Sequence, residues 1–542
     1  MRRIQNSWYF SLVLCSLFLL AFTHSEKEEK RIELPLKKQG IILNFSADAV
    51  LIDAHMGKDI DSISKEQAVK ALNDFVDKYA NTQVTSLFFN VNYQRACFDS
   101  KVMESYWDIQ DPEKKITGWP RMFWKIHKKG IDPFKVCIDR SRLKNISPWI
   151  SIRMNDHHYF DDSTRINRFW LDHPEFRRSQ YGMFNYAKKE VRDYYKAFIK
   201  EVLEKYNMDG IELDWMRTNS LFLKGEENQG IELINQFMRD IRELTIQKSS
   251  EKGHPIKIAV RIPSTPEIGK SYGLDGVSWV KEGLVDILIP TNWYIPTNFD
   301  IPIEDWKTEI GPGLTYILAA GADNANCIAK NTYLKQMYSN IETMRGFSIS
   351  AYNRGADAIY VYNHFMPTYK LKIIKPDGTI YFTSDKQKVL NEIGELSTSL
   401  GKPRTHVYTY PDPDVKPMAT KALPLLKDIK NEFNIHSGPK PLTGNYTIRI
   451  GLELLKGFEN ARFSVTVNDN ECQQIEDVPK DPSYVYNTTT KWHVVTNISE
   501  TGARVMQFKA DLTAVKNGYN QIRIVNTQNE EQAITWLEVH ID

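Results

Sequence analysis

Between residues 40 and 400 the chain alternates two kinds of hydrophobic pattern. Short apolar runs fall at 40–45, 85–92, 148–155, 209–215, 256–263, 285–292, 314–320 and 356–363. Their length, their β-branched content and the turn residues around them predict strands. Longer stretches lie between them, with apolar residues recurring every three or four positions. The clearest is 187–206, where Val191, Tyr195, Phe198, Val202 and Tyr206 share one face of a helix. Further helices are predicted over 65–79, 231–247, 338–354 and 386–400. Eight strand-then-helix repeats predict an α/β fold, a (β/α)8 TIM barrel. A doubly wound sheet is the alternative. It would carry a glycine-rich phosphate turn after the first strand, and Phe45-Ser-Ala-Asp-Ala-Val50 has none.

The texture changes after Gly401. Residues 402–416 are proline-rich and read as an extended linker or strap against the barrel. From about 422 period-two runs take over, at 446–450, 462–467, 505–510, 521–525 and 533–541, with turn signals such as Asn468-Asp-Asn and Lys516-Asn-Gly between them. These predict a C-terminal all-β sandwich, with carbohydrate binding as one role open to it. The expected division is a signal peptide over 1–25, a catalytic barrel over 26–400, a linker over 401–421 and a sandwich over 422–542.

The N-terminus carries the export expectation. Met1-Arg-Arg3 is followed by an apolar run over 11–22 and by small residues up to Ser25. The run is short for a membrane span, and no later stretch is apolar enough for one. The expected location is periplasmic, cell-surface or secreted. The formal net charge is only +2 and no basic block occurs, so nucleic acid is not an implied partner. After Cys15 the cysteines are Cys97, Cys137, Cys327 and Cys472, with no CxxC pair and no zinc spacing. A Cys97–Cys137 disulfide suits an exported chain, and the sequence leaves it open. N-x-S/T sequons stand at Asn44, Asn145, Asn445, Asn487 and Asn497.

The candidate chemistry centres on Asp209-Gly-Ile-Glu-Leu-Asp-Trp-Met-Arg217. In a strand, Ile211 and Leu213 face one side and Glu212 and Asp214 the other. Facing the helices with the apolar pair puts both carboxylates into the barrel mouth. That is the equipment for acid/base work on a glycosidic bond. The bland alternative is a strand with two solvated acids. The same alternation turns Ser151, Arg153 and Asn155 inward on the third strand, and Ala259 and Arg261 inward on the fifth. Glu212 is one pleat deeper and reads as the arginine-paired, orienting member. Asp214 is nearer the rim and nearer substrate. An Arg153–Glu212–Arg261 ion network with a purely structural role is the competing reading. Other strand ends offer groups that could grip sugar hydroxyls: Asn92, Asn292, Trp293, Tyr294, Asp323, Tyr362 and His364, with His157 just past the third strand. His157 and His158 with Asp161 and Asp162 raise a metal site. Adjacent histidines on an extended chain point opposite ways, and no HxH or HExxH occurs. No metal and no cofactor is implied.

Tyr206-Asn-Met-Asp-Gly-Ile-Glu-Leu-Asp-Trp-Met-Arg217 resembles the fourth-strand motif of a group of bacterial exported barrels, the glycosyl-hydrolase-like 10 group. Trp149-Ile-Ser-Ile-Arg-Met-Asn-Asp-His157 resembles its third-strand segment. The resemblance spans roughly residues 40 to 400 and is specific in those two segments. It implies a (β/α)8 fold and action on a polysaccharide, with Asp214 as the strand-end acid. The chain departs from two-glutamate barrel glycosidases, because 314–320 contains no Glu. The second carboxylate is therefore open among Asp156, Asp161 and Asp323. The leading expectation is an exported glycoside hydrolase with Asp214 and Glu212 as catalytic carboxylates and a poly- or oligosaccharide substrate. A non-catalytic glycan-binding barrel is the alternative, and a hydrolase or lyase of non-glycosidic bonds is a third.

Overall fold

The computed structural model describes residues 38–542 apart from 55, 57–59, 218–220, 293–299, 324–326, 329–334, 338–339, 363, 365–371, 375–379, 383–384, 409–422, 481–483, 487–492 and 496–497. Eight parallel strands close into a barrel: β1 (Ile41–Phe45), β2 (Val84–Asn90), β3 (Ser147–Arg153), β4 (Gly210–Asp214), β5 (Lys257–Pro263), β6 (Ile287–Thr291), β7 (Ile317–Asp323) and β8 (Ala358–Tyr362). Each of the eight predicted runs is a barrel strand. The seventh is displaced: Gly313 has φ of 85° and Leu314 is exposed, so a turn occupies the first positions and β7 starts at Ile317.

The alternation sorts side chains into two cores. Ile150, Ile152, Ile211, Leu213, Ile258 and Val260 pack outward against helices. Ile42, Phe88, Trp149, Ala259, Ile289 and Tyr360 fill the barrel interior. Phe88 stacks on Trp149 with centroids 4.8 Å apart. A Cβ at Gly210 would lie 2.3 Å from the Trp149 ring, so the glycine before Ile211 makes room for that plug. The floor beneath Glu212 is therefore packed with rings.

Helices supply the outer layer. Four used below are α1 (Ala47–Asp53), α2 (Lys65–Asp77), α3 (Lys189–Lys205) and α4 (Glu227–Lys252). Ser64 and Gln67 form a reciprocal capping box at the start of α2. The stripe Val191, Tyr195, Phe198 and Val202 of α3 is buried, as its spacing predicts, and α3 packs against α4. The helix Pro133–Leu143 had local signals that period-counting passes over: Asp132 caps it and Pro133 opens it.

The sandwich has two sheets. One runs β9 (Arg404–Val407), β16 (Gln532–Ile541), β11 (Tyr446–Leu452), β14 (Arg504–Ala510), β13 (Gln473–Ile475). The other contains β10 (Lys430–His436), β15 (Tyr519–Asn526) and β12 (Phe463–Val467). The start of the expected linker is β9, a sheet strand paired to β16, and residues 409–422 lie outside the described residues. β9 packs on α5 (Ile341–Asn353), and Trp536 of β16 joins the barrel's outer core. A third, small sheet pairs short strands from the segments after β7 and β8 (Lys335–Met337 and Lys372–Ile374) with two from the sandwich, Tyr484–Tyr486 and His493–Val495.

Gly346 sets the closeness of the α5–β9 contact. A Cβ there would lie 2.0 Å from the carbonyl oxygen of Thr405. Gly346→Ala is expected to lower stability by about 1–3 kcal/mol despite alanine's better helix propensity, because backbone must move. A thermal melt at or above that of the wild type would refute this close approach.

Candidate active site

The mouth lies where the strands end. In the parallel register Asp214 of β4 stands level with Arg153 of β3 and with Arg261 of β5, whereas Glu212 stands level with Ser151 and Ala259. This levels the charges differently from the sequence expectation. Arg261 pairs with Asp214 at 3.3 Å, and both are buried. Arg153 turns to Asp156 at 2.8 Å. Glu212 is thus not the arginine-bonded member. Alternation identifies the inward side chains but says nothing about which levels meet.

Glu212 is fully buried, and its Oε2 accepts a hydrogen bond from Asn44 Nδ2 of β1 at 2.7 Å. The Ser151 and Tyr360 hydroxyls lie beside it, but among the described residues none makes a well-formed hydrogen bond to Oε1. Burial, and next the negative charge of Asp214, push the Glu212 carboxyl up to about 7. Asp214 Oδ1 accepts from the backbone N–H of Met216 at 2.9 Å and faces Arg261 Nη1 at 3.4 Å, so the side chain is held in one orientation. Two carboxylates on one strand therefore occupy different environments. One is held by a guanidinium, and one is buried and ready to carry a proton near neutrality.

Aromatic rings brace both arginines. The Arg153 guanidinium lies 3.9 Å from the Tyr93 ring centroid, and that of Arg261 lies 3.8 Å from the Tyr362 centroid. Tyr93 also packs on Trp119 at 4.9 Å, and Trp119 Nε1 donates to Tyr159 Oη at 3.0 Å. The result is an aromatic wall over the β2–β3 side of the mouth.

The remaining predicted site residues divide by role. Asn92 clasps β2 to β3, donating to Arg153 O and accepting from Arg153 N, both at 3.0 Å. Asn155 makes the equivalent two-way clasp to the backbone of Phe184, at 3.0 and 2.9 Å. His157 is held by Arg217 O at 2.9 Å. The rings of His157 and His158 are stacked, with centroids 5.4 Å apart and 20° between planes, so they point the same way. The extended conformation that would oppose them ends at Arg153. Among the described residues no three His, Cys, Asp or Glu side chains gather as a metal site. His364 is buried near Lys386, and burial pushes its imidazole well below the usual range. Asn292 is nearly buried just past β6. Asp323 ends β7, paired in register with Tyr362. Trp293 and Tyr294 lie outside the described residues.

Among the candidates for a second acid, Asp156 is already engaged. Burial opposes its charge, but His158, Arg153 and Arg217 outweigh that and hold the carboxyl well below the usual range. His158 Nδ1 and backbone N–H both reach its Oδ1, at 2.8 and 2.7 Å. Asp161 is exposed on the following loop. The sequence reading missed Asp48, in the first turn of α1 just past β1. Its Oδ1 accepts from Ser46 Oγ at 2.6 Å and from the Tyr93 hydroxyl, and no described residue donates to its Oδ2. The available signal was its place immediately past the C-terminal end of a barrel strand. Cys97 and Cys137 are both free, buried thiols. The Asn44 sequon lies inside the barrel, where its side chain holds Glu212.

No protein-family model and no curated protein matches the chain. Loose likenesses to solved glycoside hydrolases occur. The glycoside hydrolase domain of PgaB (BpsB) from Bordetella bronchiseptica is 10% identical, covering 65% of this chain and 99% of that one, at a TM-score of 0.37. Alpha-L-fucosidase isoenzyme 1 from Paenibacillus thiaminolyticus is 12% identical over 91% of this chain and 97% of that one, at 0.34. A GH29 alpha-L-fucosidase from Bacteroides thetaiotaomicron is 10% identical over 88% and 94%, at 0.33. At this overlap the chemistry rests on the site residues themselves.

Proposed function

We propose that this chain is an exported glycoside hydrolase that cleaves a poly- or oligosaccharide at the C-terminal mouth of the barrel. The observation that carries the reading is the Glu212–Asp214 pair. One strand presents both carboxylates to the mouth, and their surroundings separate their roles. Asp214 is the group at the substrate, and Glu212 behind it sets the local charge. Asp48, whose Oδ2 accepts from no described residue, joins Asp323 as a candidate second carboxylate, ahead of the engaged Asp156. In the aromatic wall Tyr93 is buried behind Trp119 and Tyr159, and these two half-buried rings suit contact with sugar rings. The signal-like segment 1–25 supports export, and likeness to the glycosyl-hydrolase-like 10 group is kept as a proposal resting on the two strand motifs.

The test is release of reducing ends from a panel of plant and host polysaccharides, by the wild type and by Asp214→Asn. The rate is expected to fall above about pH 7, where Glu212 loses its proton and a second negative charge enters the floor. A rate flat from pH 5 to 9 would remove Glu212 from the chemistry. The competing reading, a glycan-binding barrel without turnover, draws on the fact that Asp214 Oδ1 and Oδ2 both face Arg261. Binding without release of reducing ends would favour it.

A further inference from the structure

We propose that Phe160 and Tyr181 form a stacking platform for a sugar chain that runs out of the mouth, making a long glycan rather than a disaccharide the ligand. The inference rests on the glycan reading above and extends it to a second binding site. Among the described residues three aromatic side chains are exposed: Phe160 at 41%, Tyr181 at 47% and Tyr519 at 43%. Tyr519 is engaged by the Arg354 guanidinium, 5.0 Å from its ring. Phe160 and Tyr181 touch each other instead, centroids 5.1 Å apart and planes at 85°. Both belong to the long connection after β3, on the mouth side of the barrel.

The local backbone holds the pair out. Tyr159 has φ of 59°, a left-handed conformation rare for a bulky side chain. The turn lets Tyr159 enter the aromatic wall, where the Arg165 guanidinium lies 4.9 Å from its ring, while its neighbour Phe160 leaves it. Gly182, after Tyr181, has φ of 81°, and a Cβ there would lie 2.9 Å from Gln94 Nε2 and 3.3 Å from Phe160 Cβ. The two ends of the loop thus meet over a glycine. Gln94, buried, donates to the carbonyl oxygens of both Asp156 and Gly182. Asp156 in turn pairs with Arg153 at the end of β3. The exposed rings are therefore positioned relative to the end of β3, the neighbour of the carboxylate strand, by a chain of buried polar contacts.

A pyranose ring offers a face of C–H groups that lies flat on an aromatic ring while its hydroxyls remain in water. Two rings are the right scale for one or two sugar units. They are far too small for a stable protein interface, which buries roughly 1,200 Å² or more. The pair stands on the loop that leaves β3 at the mouth and is tied there by Gln94, so the glycan that enters the mouth is the occupant.

The experiment is affinity electrophoresis of the full chain in native gels cast with rhamnogalacturonan, xylan, mannan or chondroitin sulfate, with reducing ends scored separately on the same four polymers. At least one polymer is expected to retard the wild type. Phe160→Ala/Tyr181→Ala should bind that polymer about tenfold more weakly, as expected for losing two aromatic contacts. Phe160→Tyr/Tyr181→Phe should bind as the wild type does. The melting curve of each variant should be unchanged, since both rings are exposed. A wild type retarded by none of the four, or an alanine variant retarded equally, overturns the platform. Retardation that depends on the pair without any reducing ends keeps the platform and refutes the hydrolase. Hydrolysis that is indifferent to the pair does the reverse.

Discussion

Asp214→Asn is expected to lower turnover at least about 10²-fold, the low end for losing a positioned acid or base. The variant keeps the size of the side chain and one acceptor for the Met216 N–H. It loses the charge and the transferable proton. It should also lower the melting temperature, which an exposed rim residue would not do. Arg261 is buried against Asp214, and stripping a buried charge of its partner costs about 3–5 kcal/mol. The low end applies here, because Glu212, relieved of its negative neighbour, can ionise and face Arg261. Adding Arg261→Met separates the two effects. The double variant should regain much of the stability, since no unpaired charge remains, and none of the activity. An Asp214→Asn protein with near-normal turnover on a polysaccharide that the wild type cleaves would overturn the assignment.

Glu212→Gln is expected to be tolerated and, above neutral pH, stabilising. The sign follows from the raised carboxyl. Its ordinary value is 4.5, and the fold raises it to about 7. Between those values the native state holds a proton that the unfolded chain has released. Stability is therefore lost as pH rises through that window, by roughly 3 kcal/mol in all. Glutamine is the uncharged isostere, and its carbonyl can still accept from Asn44. The variant should melt above the wild type at pH 8, and the two should converge below about pH 4.5. A variant less stable than the wild type at pH 8 would mean that an ionised Glu212 contributes a favourable ion pair, as the sequence alone suggests.

Much of the barrel was legible because a buried strand advertises itself. Ile211 and Leu213, or Ile258, Val260 and Ile262, can face the helices only if Glu212, Asp214 and Arg261 face inward. The pairing of those charges was not legible, because it depends on register. Sliding β4 along β3 by two residues changes which carboxylate stands level with Arg153 without altering the alternation of either strand. The loop residues were hidden for a different reason. Tyr93, Gln94 and Asp48 follow strand ends and belong to no periodic pattern. Their importance arises only when loops after β1, β2 and β3 converge. The histidine pair was misjudged because strand parity was carried past Arg153, where the strand ends.

The small mixed sheet alters what the C-terminal region can be. Tyr484–Tyr486 and His493–Val495 pair with strands from the segments after β7 and β8, on the same end of the barrel as Asp214. Barrel and sandwich thus share main-chain hydrogen bonds. In evolutionary terms they are not beads on a string. A sandwich exchanged for that of another protein, or removed by a stop codon near residue 420, would leave two unpaired strand edges beside the mouth. Recombination at the linker should therefore be rare in viable descendants, and insertions should be tolerated elsewhere first. The two halves are best inherited, expressed and crystallised together.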